Sequence, residues 1–138
     1  MAHRGSAIAH CPLSNAYFSA EPFRLREALQ LGVRVGLGTD VAGGYSLDIM
    51  NAARQAVIVS RVREGSRILS AARFIEENDV KPRPDENARE ESGATDSLAI
   101  DWKESLYLAT GGGMKALGLP RGCGTFTIGA PFDAQWSE

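Results

Sequence analysis

The sequence predicts an α/β fold in which short parallel strands are covered by helices. Three observations carry this. The first 63 residues alternate strand, helix, strand, helix. The strands are short apolar runs rather than long polar–apolar alternations, as in sheets covered on their faces. The connections between them are short, the usual signature of βα units. A chain of 138 residues has the length of one ordinary domain.

Ala7-Ile8-Ala9 reads as a buried strand entered through Gly5 and left through the turn-rich Cys11-Pro12-Leu13-Ser14-Asn15. Pro12 biases Cys11 away from helix. Residues 21–32 read as an amphipathic helix. Pro22 suits its first turn, Gly32 its stop, and Leu25, Ala28 and Leu29 share a face. Val33 to Gly38 is the second strand, and Gly36 and Gly38 signal close approach of another backbone or a ligand. After Thr39-Asp40 and a glycine-rich loop, Ser46 is placed to cap a helix running from Leu47 to about Arg63. Ile49, Ala53, Ala56, Val57 and Ser60 form its packing face.

A further helix is predicted over 67–77. Half of residues 79–96 are charged, and Pro82 and Pro84 fall among them, which predicts a solvated, flexible insertion. Asp101 to Thr110 reads as a helix packing through Leu98, Trp102, Leu106 and Ala109, interrupted by Gly111-Gly112-Gly113. Residues 114–117 add a short turn. Gly124 to Gly129 alternates in a way that reads as a strand and turn, and residues 131–136 look like the start of another strand.

Composition narrows the function classes. The chain is 43% hydrophobic and 23% charged with a formal net charge of −2, so it has no basic footprint for nucleic acid and no polybasic attraction to a membrane. It has no spanning run and no signal-peptide pattern, which predicts a soluble, cytoplasmic protein. Cys11 and Cys123 are expected to be free thiols with no zinc-finger spacing.

Asp40 is the sharpest candidate. A carboxylate at the C-terminal end of a parallel strand, followed by glycines, is where α/β folds place their chemistry. Such an aspartate can bind a metal or carry a proton; it can also simply cap a helix or shape a turn. His10 follows a strand and can be a ligand or a hydrogen-bonded structural group. His3 lies among terminal residues. Gly36-Leu37-Gly38 fails the dinucleotide fingerprint because position 41 is Val. Ser14 or Cys11 with His10 lacks a third triad member, and no G-x-S-x-G elbow is present. The H-x-E…P-C-x-x-C zinc deaminase signature is absent.

Residues 10–15 (HCPLSN) and 33–44 (VRVGLGTDVAGG) together resemble the guanine deaminases, a family of the amidohydrolase superfamily. Residues 51–56 (NAARQA), 108–119 (LATGGGMKALGL) and 126–134 (FTIGAPFDA) continue the resemblance. It implies a (β/α)8 metallo-dependent hydrolase barrel with an appended β-sandwich, of which this chain holds the C-terminal fragment. Residues 1–118 would be barrel, containing the last two βα units and a charged insertion at about 79–97. Residues 119–138 would be incomplete return strands of the sandwich.

The resemblance further implies zinc-dependent hydrolysis of guanine to xanthine and ammonia. Asp40 matches the family's aspartate after the eighth strand, a zinc ligand and proton shuttle. His10 matches a histidine beside the active site that does not ligate metal. The full-length family enzyme would be a homodimer. The family's H-x-H, its other zinc-binding histidines and its catalytic glutamate are absent from this sequence. A catalytic zinc needs about three protein ligands. The isolated chain is therefore expected to be inactive and to lack stoichiometric zinc. Other purine, cytosine or triazine amidohydrolases, and a non-catalytic α/β fragment associating with a partner chain, are the alternatives.

Overall fold

The computed structural model describes residues 4–41, 43–78, 97–120 and 122–131. Strands β1 (Ala7–His10) and β2 (Arg34–Leu37) pair in parallel, with Ala7 opposite Arg34 and His10 opposite Leu37. The predicted βα alternation is therefore present. β1 is less covered than expected: Ile8 is half-buried and His10 buried, while Ala7 and Ala9 are exposed.

Helix α1 (Pro12–Phe18) occupies the stretch read from the sequence as a turn. Pro12 stands at its first helical position, where the missing N–H would have had no partner and the fixed φ suits the helix. Asn15 ties the exit down: its Oδ1 accepts from Phe23 N at 2.7 Å, and its Nδ2 donates to Ser19 Oγ at 3.0 Å. Helix α2 (Leu25–Gln30) is shorter than predicted and buries Leu25. It stops at Gly32, whose φ of +71° is left-handed and suits glycine.

Helix α3 (Ile49–Glu77) is one 29-residue element, not a helix to about 63 with a second over 67–77. Gly65 sits inside it without breaking it, since one helical glycine costs only about 1 kcal/mol. Its cap is Asp48, whose carboxylate accepts from Met50 N at 2.8 Å; Ser46 instead accepts from Asp48 N at 3.3 Å. Ala52, Ala53, Ala56 and Ser60 are buried, whereas residues 66–77 are exposed throughout. No helix among the described residues is long and apolar enough to cross a membrane.

Helix α4 (Trp102–Tyr107) begins with a capping box between Asp101 and Glu104. The three glycines do not interrupt it. A π-helical turn (Leu108–Gly112) carries it into helix α5 (Gly113–Leu117). Here the missing side chains allow the helix backbone to lie on β2. A Cβ on Gly112 would come 2.9 Å from the Val35 carbonyl oxygen, and one on Gly36 would come 2.8 Å from Gly113 Cα. The packing face is also rotated from the predicted one. Ser105 and Leu108 are buried, while Trp102 is 67% and Leu106 40% exposed.

The core is Leu25, Val35, Ala56, Ile100 and Leu108. Polar bonds seam α3 to residues 97–105. Ile100 N donates to Ser60 Oγ at 3.0 Å, and Ser105 Oγ donates to Ala53 O at 2.7 Å. Arg26 forks onto Glu104 at 2.6 and 2.9 Å, so α2 joins the same seam. Ser60→Ala is expected to cost about 1–3 kcal/mol, because it strands the buried Ile100 amide. Urea unfolding checks this; a midpoint equal to the parent's would show that the amide finds another acceptor.

The predicted strand over 124–129 is not formed. Residues 122–131 are turns, with Ala130 N donating to Thr127 O at 3.0 Å, and Phe126 and Ile128 stand fully in solvent. Alternation encodes a strand only where another strand supplies ladder partners, and this segment pairs with no strand among the described residues. The insertion at 79–96, His3, and all of the predicted strand at 131–136 except Pro131 lie outside the described residues.

Candidate active site

Parallel pairing puts the C-terminal ends of β1 and β2 side by side, so the loops that follow them meet. Gly38 N donates to His10 O at 2.9 Å and extends the pairing by one step. A Cβ on Gly38 would lie 2.9 Å from Cys11 Sγ, so the bare glycine leaves room for the thiol. The close approach predicted at Gly36 and Gly38 is thus protein on protein.

Asp40 stands two residues beyond Gly38, exposed, with φ of +53°. Its carbonyl accepts from Gly43 N at 2.5 Å and Gly44 N at 3.2 Å, which closes a tight turn. Its carboxylate Oδ2 accepts from Ser14 Oγ at 2.5 Å. Asp40, Ser14, Asn15, Cys11 and His10 line one open cleft of about 530 Å3. The structure therefore brings both predicted site residues to one cleft. It also adds Ser14, which the sequence offers only as a turn residue and an incomplete partner for His10. The signal that could have found it is topological: Ser14 and Asp40 follow the same ends of adjacent parallel strands.

His10 is 4% exposed, and its ring lies 5.0 Å from that of Phe23. Burial lowers its pKa from 6.5 to about 4, so it is a neutral imidazole at neutral pH. The unfolded chain takes up this proton first. Stability is then full above about pH 6.5 and falls as the pH drops toward 4, with about 2 kcal/mol lost between pH 7 and 5. Glu27 and Glu104 are held below the usual carboxylate range by their arginines, so their contributions fade only at lower pH. Unfolding measured at pH 7 and pH 5 tests this. His10→Gln should flatten the difference, and an equally steep profile in that variant would assign it elsewhere.

Cys11 is pushed toward the thiol form, first by burial and then by the charge of Asp40. Cys11 and Cys123 are free. As a zinc site the donor set falls short. Among the described residues no three His, Cys, Asp or Glu side chains converge, and Asp40 has one oxygen engaged by Ser14. The described residues of this cleft offer zinc one carboxylate, fewer than the three ligands a catalytic site uses.

A family model described as "Amidohydrolase family" matches residues 1–76. The guanine deaminase of Rattus norvegicus is 37% identical over 131 residues, which is 95% of this chain and 23% of that protein. The solved structure of E. coli guanine deaminase superposes with a TM-score of 0.62 at 27% identity, over 91% of this chain and 22% of that one. A crystal structure of guanine deaminase from C. acetobutylicum, with guanine bound in its active site, shares the fold (TM-score 0.61, 21% identity) over 93% of this chain and 24% of that one. This chain spans under a quarter of the length of the rat protein and of both solved structures. With more than half of its residues matched by the family model, the chain belongs to the amidohydrolase family.

Proposed function

We propose that this chain is the C-terminal part of a guanine deaminase, an enzyme that adds water to guanine and releases xanthine and ammonia. The observation that supports it best is the 131-residue match to a guanine deaminase, in which HCPLSN and GTDVAGG fall at the ends of β1 and β2. Residues 1–118 are then the last portion of a (β/α)8 barrel, and residues 119–138 enter the β-sandwich. Asp40 accepts a proton from the water that attacks the ring carbon and returns it to the amino nitrogen that leaves as ammonia. His10 supports the cleft wall as a neutral ring. Zinc would supply an activated water. Apart from Asp40, its ligands must come from polypeptide outside these 138 residues, and so must most contacts to the purine.

The test is to read the coding frame upstream of Met1 and express the longest product. Ammonia release from guanine is the expected result, together with bound zinc. A frame without an H-x-H and further histidine-bearing βα units would remove the basis of the reading. Turnover of another purine or a triazine in place of guanine would redirect the substrate. The 138-residue chain alone is expected to hold no stoichiometric zinc and to leave guanine unchanged. Metal analysis finding one tightly bound zinc per chain would contradict this.

A further inference from the structure

We infer that Ser14 is a positioning residue for Asp40, fixing which carboxylate oxygen faces the reaction; this rests on the proposed role of Asp40. Two independent features converge on the same oxygen. The first is the Ser14 hydroxyl, which donates to Oδ2 at 2.5 Å. The second is Gly43. A Cβ at that position would run into the Asp40 carboxylate and approach Ser14 Oγ to 3.2 Å, so the bare glycine keeps open the space in which the pair meets.

Both partners are held from behind. Ser14 follows the buried Pro12 and Leu13 in the first turn of α1, so its hydroxyl is presented by an anchored helix end. Asp40 is held through its own carbonyl by the Gly43 and Gly44 amides. A carboxylate on an exposed loop would otherwise rotate freely about its χ angles. The Ser14 bond fixes the rotation of the carboxylate, turning Oδ1 toward the reaction while Oδ2 keeps a second lone pair. A proton carrier displaced by about 1 Å can lose as much as 100-fold in rate. A single hydroxyl is therefore enough to matter here, even though the bond adds little to stability.

The experiment uses the longest product of the frame, with guanine hydrolysis as readout. Ser14→Ala is expected to lower kcat by about 10- to 100-fold with KM changed less than about 3-fold. Ser14→Thr, which keeps the hydroxyl, is expected to restore most of kcat. Equal kcat for parent and Ser14→Ala would overturn the inference. So would a Ser14→Thr variant as slow as Ser14→Ala while both remain folded by circular dichroism.

A parent that does not hydrolyse guanine overturns the functional reading instead. In that event the 13Cγ resonance of Asp40 in the 138-residue chain decides whether the contact exists. It should move in Ser14→Ala and return in Ser14→Thr, and an unmoved resonance refutes the contact.

Discussion

Gly36→Val is expected to destabilise the chain by about 3 kcal/mol or more, although valine is the better strand residue. Two effects oppose each other. Strand propensity favours valine by less than about 1 kcal/mol. Against it, the first added carbon would lie 2.8 Å from Gly113 Cα, 3.4 Å from Gly113 N and 3.3 Å from Ala116 Cβ. Two of these are backbone atoms, which cannot swing away as the end of a flexible side chain could. Relief requires α5 and the π-helical turn to lift off β2, which would unseat Leu108 from the core. The clash wins because it is paid in backbone displacement.

Urea unfolding of the variant is the measurement, and a parent-like midpoint would show that the helix and strand are not in this contact. Gly65→Ala is the control. It lies inside α3 with nothing within 4 Å of its would-be Cβ, and it should stabilise by about 0.5–1 kcal/mol.

In the longest product of the frame, Asp40→Asn is expected to reduce guanine turnover by about 10²–10⁴-fold while leaving the fold intact. Asparagine keeps the size of the side chain and tolerates the left-handed backbone at φ +53°. What it loses is the ability to accept a proton. Asp40 is exposed and contributes nothing to the apolar core, so unfolding should shift by no more than about 1 kcal/mol. Asp40→Gly separates the roles further. It should relieve roughly 1 kcal/mol of backbone strain and still abolish turnover. A variant that retains kcat would remove Asp40 from the mechanism, whatever its stability.

Much of this was legible from local pattern. The two strands, helix α2 and the start of α3 follow from apolar spacing and from stop signals such as Gly32. The family was legible because HCPLSN, GTD and the later segments together resemble its motifs. The misreadings share a cause. Residues 11–15 read locally as a turn and the glycine triplet as an interruption, yet a proline in a first turn and glycines against a strand are both compatible with helix. Trp102 and Leu106 read as core because spacing reports which residues share a face, not which face meets a neighbour.

The sequence by itself determined that short parallel strands alternate with helices, and that one aspartate stands at a strand end in an amidohydrolase pattern. Both are properties of neighbours along the chain. Only the tertiary structure decided that Ser14 holds Asp40, that His10 is buried and neutral, and that Gly36 and Gly113 touch. Ser14 and Asp40 are 26 residues apart, and Gly36 and Gly113 are 77 apart. No local periodicity encodes such distances. They exist because parallel pairing sets the ends of β1 and β2 side by side, and because glycine lets a helix backbone come to rest directly on a strand.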